Sequence, residues 1–180
     1  FVILLALGVA IGPILYLMPS DRDRYLTSLR ALARKLGYTV QLDKVLKLDP
    51  ADDERVTAGG NMRQPAVTCA RYQLPLGITL NRLHPITLQR IPLTPTVPVE
   101  QLGGGWGVAA LVDPAQIKAL QVWLERPTAT QELIAALDRL PDDVLAAQLD
   151  KRFIAALWRE ENPQGQDANN WPMAWFWPAK

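Results

Sequence analysis

The sequence predicts an α+β domain, a small and mainly antiparallel sheet with helices on one face, carried behind an N-terminal transmembrane helix. Three observations predict it. The first eighteen residues are apolar and uncharged. Several later stretches alternate apolar and polar residues, as half-buried strands do. Others repeat apolar residues every three to four positions, as amphipathic helices do. Four segments follow: an anchor over 1–18, a basic juxtamembrane helix over 19–37, a cytoplasmic domain over 38–160, and a polar linker with an aromatic tail over 161–180.

Phe1 to Met18 reads FVILLALGVAIGPILYLM. At about 1.5 Å per residue such a helix spans about 27 Å, close to the apolar thickness of a bilayer. A cleaved signal peptide would need basic residues before this run and a small-x-small site after it. Instead the basic residues follow it: Arg22, Arg24, Arg30, Arg34 and Lys35, against Asp21 and Asp23. By the positive-inside rule the following domain stays in the cytoplasm and the N-terminus faces the periplasm. Gly8 and Gly12 lie one turn apart, a spacing that lets another membrane helix pack closely. Pro13 should kink the helix.

Ser20 can cap a new helix, with Asp23 three residues on as its capping-box partner. Leu26, Leu29, Ala33 and Leu36 form the apolar stripe, and Gly37 suits the helix end. Arg22 and Arg24 lie nearest the anchor and are expected to contact anionic lipid headgroups.

Tyr38 to Leu42 alternates and predicts a strand; Asp43 to Gly60 shows no strong period. Arg63 to Leu74 predicts a second strand, with Val67, Cys69 and Arg71 on one face and Ala66, Thr68, Ala70 and Tyr72 on the other. Prolines at 75, 85, 92, 95 and 98 make Pro75 to Pro98 an extended connection, with Ile78–Leu80 as a short edge strand. Gly103-Gly104-Gly105 precedes a strand over Val108–Val112. A phosphate-binding loop would need a strand before the glycines and a helix after them, so a tight turn is expected. Asp113 and Pro114 open a helix at its N-cap and first position. Pro127 closes it, and a further helix is expected over Thr130–Leu140. Val144–Leu149 and Phe153–Trp158 flank a short polar break and predict a hairpin, although their alanines and leucines also suit a helix.

Glu160 to Asn170 is polar and reads as a linker. Trp171, Trp175, Phe176 and Trp177 then crowd the last ten residues. Exposed indoles favour burial, so they should dock on the domain, at the membrane interface or on a partner.

Lys and Arg number 19 against 18 Asp and Glu, which gives no reason to expect nucleic-acid binding. The lone Cys69 forbids an internal disulfide and falls in an alternating run, where burial is expected. The lone His84 lies in the proline-rich connection as a surface residue. Asp52-Asp53 and Asp142-Asp143 read as turn residues. No catalytic residues, metal ligands or cofactors are therefore expected.

Pro19, the basic stretch from Arg22 to Lys35, and Val56-Thr57-Ala58-Gly59-Gly60 resemble the YajC-type auxiliary subunits of the bacterial Sec translocon. The similarity covers about the first 60 residues and implies a single-pass accessory subunit. Over its whole length, through Pro19-Ser20-x-Arg22 and Leu137-x-x-Leu140-Pro141-x-Asp143-Val144-Leu145-Ala146, the chain is similar to uncharacterised single-pass inner-membrane proteins of gammaproteobacteria. The expectation is a non-catalytic accessory or assembly subunit of a respiratory, photosynthetic or translocase complex, with integral membrane subunits and anionic lipids as partners. The competing expectation is a stand-alone tethered module that binds peptide or lipid.

Overall fold

The computed structural model describes residues 20–110 and 113–161. The anchor over 1–18 and the aromatic tail lie outside them. No helix among the described residues is long and apolar enough to cross a membrane.

Ser20 caps helix α1 (Asp21–Lys35) through the full box: its hydroxyl accepts from the Asp23 N–H, and the Asp23 carboxylate accepts from the Ser20 N–H at 3.1 Å. Leu29 and Ala33 are fully buried. Leu36 is a correction: it caps the helix end and is 56% exposed. Strand β1 (Thr39–Leu46) runs four residues beyond the predicted one, because β2 (Ala66–Pro75) pairs with it antiparallel along its whole length.

Three further strands follow: β3 (Ile86–Arg90), β4 (Val99–Gly103) and β5 (Trp106–Ala109). β3 and β4 were not expected, and Ile78–Leu80 is not a strand. Prolines 85 and 92 flank β3 without entering it, so each of its N–H groups can still bond. Helix α2 (Pro114–Leu124) starts at the expected cap, with the Asp113 carboxylate accepting from the Ala115 N–H at 2.9 Å. Helix α3 (Pro127–Leu137) begins three residues early, because Pro127 opens it as its first residue. The hairpin β6 (Val144–Leu149) and β7 (Phe153–Trp158) forms as expected.

The strands make one antiparallel sheet in the order β1-β2-β7-β6-β3-β5-β4. Residues of all three helices share one apolar core with alternate sheet residues such as Tyr72, Ile86, Leu88, Trp106 and Val108. A β-bulge between Val144 and Ala146 lets both Val144 and Ala147 reach that core. Each fully buried large side chain contributes about 1.5–3 kcal/mol. The Arg90 guanidinium lies 4.8 Å from the Trp106 ring centre and donates to the carbonyls of Leu140 and Pro141, tying β3 to the turn before β6.

The other face carries a smaller cluster of Val45, Cys69, Ala146 and Leu157. There the sheet curls. Asp43–Leu46 of β1 and Val108–Ala109 of β5 line one cleft. In a flat sheet these strands would lie roughly 24 Å apart. The segment before β4 crosses over, and the Leu48 carbonyl accepts from Thr96 and Val97 N–H at 2.9 and 3.2 Å.

Gly103–Gly105 turn the β4–β5 hairpin with positive φ at all three residues. At Gly104 (φ +60) an added Cβ would stand 2.5 Å from the Ile134 side chain on α3. The glycines therefore serve a tight turn beneath a helix. Gly104→Ala should destabilise the domain by about 1–3 kcal/mol through αL strain and overpacking. Urea unfolding followed by circular dichroism measures this, and an unchanged midpoint would refute the packing account.

Candidate functional site

Helix α1 joins the predicted membrane segment to the sheet, and its residues divide accordingly. Its inner face enters the core. At its first turn Arg22 and Arg24 are exposed. Arg24 pairs with Asp21 at 3.8 Å, but both groups are well exposed and the pair adds little. The Ser20 hydrogen bonds hold the Asp23 carboxyl below the usual carboxylate range. That capping contribution is present above the ordinary Asp pKa and lost as pH falls through the lowered value.

Halfway along α1, Arg30 reaches across to the far end of the chain. Its Nε donates to Glu160 Oε1 at 3.0 Å, and Nη2 pairs with Oε2. The Tyr72 hydroxyl donates to the same carboxylate. Glu160 is only 5% exposed, and it adopts φ +55, the left-handed region that residues with a Cβ usually avoid. Glu160, the last residue of the predicted 38–160 domain and the first of the polar stretch read as a linker, belongs to the domain. Three directed hydrogen bonds offset the backbone strain.

The surroundings are polar and enclosed. The Tyr72 and Trp158 rings sit 5.6 Å apart. Burial, then the hydrogen bond to Glu160, pushes the Tyr72 hydroxyl far above the ordinary value of 10.0. Burial also raises the Asp143 carboxyl, a residue read from sequence as a solvated turn. Tyr25 of α1 rises through burial and the charges of Asp143 and Glu160. The hydrogen bond to Glu160 raises Arg30.

The predicted site residues are thus divided. Arg22 and Arg24 lie exposed at the start of α1. Gly8, Gly12, Trp171, Trp175, Phe176 and Trp177 lie outside the described residues. Cys69 is buried at 3% exposure, and burial pushes its thiol up to about 11, which keeps it protonated and unreactive at neutral pH. His84 is exposed. Sequence reasoning missed the Arg30–Glu160–Tyr72 cluster. Its one signal was Tyr72 itself in the strand predicted over Arg63–Leu74, since a tyrosine needs a polar partner for its hydroxyl when buried. No family model, curated protein or solved structure matches the chain.

Arg30→Ala should cost about 2–3 kcal/mol, because it strands the buried Glu160 carboxylate; Arg30 is a third exposed, which discounts the full cost of a buried pair. Arg30→Met combined with Glu160→Leu should recover most of that loss. Guanidinium unfolding of the single and double variants tests the coupling, and strictly additive losses would contradict it.

The Tyr72 shift also sets an alkaline limit. A group raised on folding adds stability that is complete below its unfolded pKa and is lost as pH rises toward the folded value. Stability should therefore hold up to about pH 9 and fall above the ordinary tyrosine value of 10.0. Thermal melts across that range should show a shallower decline for Tyr72→Phe. Identical alkaline limbs for both proteins would remove Tyr72 from the account.

Proposed function

We propose that this protein is a non-catalytic accessory or assembly subunit of a bacterial inner-membrane complex, of respiratory, photosynthetic or translocase type. Residues 1–18 serve as its single-pass anchor, with the N-terminus periplasmic and the domain cytoplasmic. One observation carries the reading: three features converge on α1. The apolar segment enters it, Arg22 and Arg24 stand exposed at that entry, and the Arg30–Glu160 pair returns the chain to it just before the tail.

Leu26, Leu29 and Ala33 of the α1 stripe pack on the core, so the helix does not lie on the bilayer by that face. It holds the domain against the anchor instead, with Arg22 and Arg24 placed for anionic headgroups. Gly8 and Gly12 are the proposed packing face for a partner's membrane helix. Trp171, Trp175, Phe176 and Trp177 are the proposed docking residues of the tail; Glu160, the end of the domain before it, is held to Arg30 of α1. The similarity of the front of the chain to YajC-type subunits supports the same reading; its Val56–Gly60 segment forms an exposed turn closed by a bridge between Val56 and Met62.

The test is affinity purification of the tagged protein from native membranes in mild detergent, with cross-linking mass spectrometry. One large complex should appear, with cross-links from Lys35 and the region around it. Gly8→Leu with Gly12→Leu, combined with deletion of 171–180, should release the protein from it. Elution of the wild-type protein alone would sink the proposal. A reporter after Lys180 should give a cytoplasmic signal, and Arg22→Glu with Arg24→Glu should shift part of the population to the opposite orientation.

A further inference from the structure

A pocket of about 390 Å³ opens between helix α2 and the loop that follows β2. Leu80 and Leu83 of the loop and Val122 and Trp123 of α2 form its apolar walls. Trp123 also packs on the main core, but Leu80, Leu83 and Val122 belong to neither apolar cluster of the fold. Leu80 is 40% exposed, so apolar surface is kept at the pocket rather than in the interior. The loop wall is fixed in place. The Leu76 and Leu80 N–H groups donate to the Arg152 and Lys151 carbonyls, each at 2.8 Å, and the Leu83 N–H donates to the Leu80 carbonyl at 3.0 Å. The volume falls within the roughly 300–1,000 Å³ of small-molecule sites, whose usual lining is apolar with a few polar or charged groups.

The charged groups of this pocket are all basic. Arg82 and His84 come from the loop and Arg126 from the junction of α2 and α3, so they approach from both walls. No Asp or Glu lines it; Glu125, next to Arg126 in sequence, is exposed outside the lining. Neither arginine has an ion pair or a side-chain hydrogen bond among the described residues. The clefts on the curled face of the sheet differ: Asp43 and Asp49 line them, and Lys47, Arg71, Arg90 and Arg159 are already paired with carboxylates. We propose that the α2 pocket binds a single-chain amphiphile with an anionic head, of the fatty-acid class. The head accepts hydrogen bonds from Arg82 and Arg126, whose apolar stems extend the walls. The chain covers Leu80, Leu83, Val122 and Trp123 and removes them from water.

The walls select an acyl chain over a peptide. A peptide carries a backbone amide at every residue, and each needs a partner once water is displaced. Thr79 and Asn81 supply the only uncharged polar side chains in the lining. An acyl chain has no such need. Position selects a dissolved amphiphile over a lipid of the anchor's bilayer. The pocket lies at the end of the sheet where Thr39 pairs with Gln73 and Pro75 with Phe153. Helix α1 finishes at that end, at Lys35, whereas its Ser20 cap, which follows the predicted anchor, stands a helix length of about 22 Å away.

Binding here needs no partner subunit, so it stands or falls separately from the accessory-subunit reading. The test is photolabelling of the full chain in phosphatidylcholine nanodiscs with dodecanoate carrying a diazirine at its chain end, followed by mass-spectrometric mapping. Labelling should saturate and map to residues 79–84 and 122–126. Unmodified dodecanoate should compete, and dodecanol and dodecyltrimethylammonium should not. Arg82→Glu with Arg126→Glu should lower saturable labelling about tenfold at the same dodecanoate concentration, with the melting temperature unchanged because both residues are exposed. Arg82→Lys with Arg126→Lys should keep most of it. Labelling that does not saturate, equal competition by the cationic amphiphile, or unchanged labelling in the double Glu variant each overturns the proposal. Loss of labelling in phosphatidylglycerol nanodiscs would give the pocket to bilayer phospholipid and overturn the assignment to a dissolved amphiphile. Stronger competition by a peptide alternating glutamate and valine would make the pocket a protein-docking groove and overturn it likewise.

Discussion

The sheet depends on its last hairpin. β6 and β7 sit in the middle of the strand order, β7 bonded to β2 and β6 bonded to β3. Without them the β1–β2 pair and the β3–β5–β4 unit share no ladder. Residues 39–75 and 86–109 are therefore joined in one sheet only through 144–158, and such long-range pairing carries a loop-closure entropy cost. Small side chains make the insertion possible. Ala146, Ala147, Ala155 and Ala156 are all buried, so helices and curled sheet can approach the hairpin on both faces.

The pin at Glu160 completes that insertion. β7 ends at Trp158, and two residues later the chain is clamped to Arg30 and Tyr72. An apolar residue there would bury as well. A carboxylate adds direction, because it matches one fork of donors from one helix and one strand. Its site is specified by α1 and β2 together, so the pin forms only when both have docked against β7.

Local chemistry made some of this legible. The Ser20–Asp23 box, the Asp113–Pro114 helix start and the polar break between β6 and β7 are short-range signals, and each element lies where they place it. The alternation in β2 assigned Tyr72 and Cys69 to opposite faces, and they lie in different clusters. What escaped was long-range. β3 hid between two prolines because proline density speaks for the ends of a strand as much as against its interior. Glu160 looked like linker because its partners are 130 and 88 residues away in sequence. Gln89 looked like an ordinary strand residue, since nothing local tells a polar side chain facing solvent from one facing a curled sheet.

The two faces of the sheet explain why these misses share a cause. On the helix face, apolar periodicity and packing agree, and pattern reading works. On the curled face, the residues that alternate with the core positions are Thr87, Gln89, Arg71 and Gln148, which by pattern belong in water. Curling withdraws them from water without giving all of them partners. A sequence optimised only for stability would place aliphatic side chains there, as Val45 and Leu157 already are. Keeping an amide and a guanidinium in that hollow lowers stability.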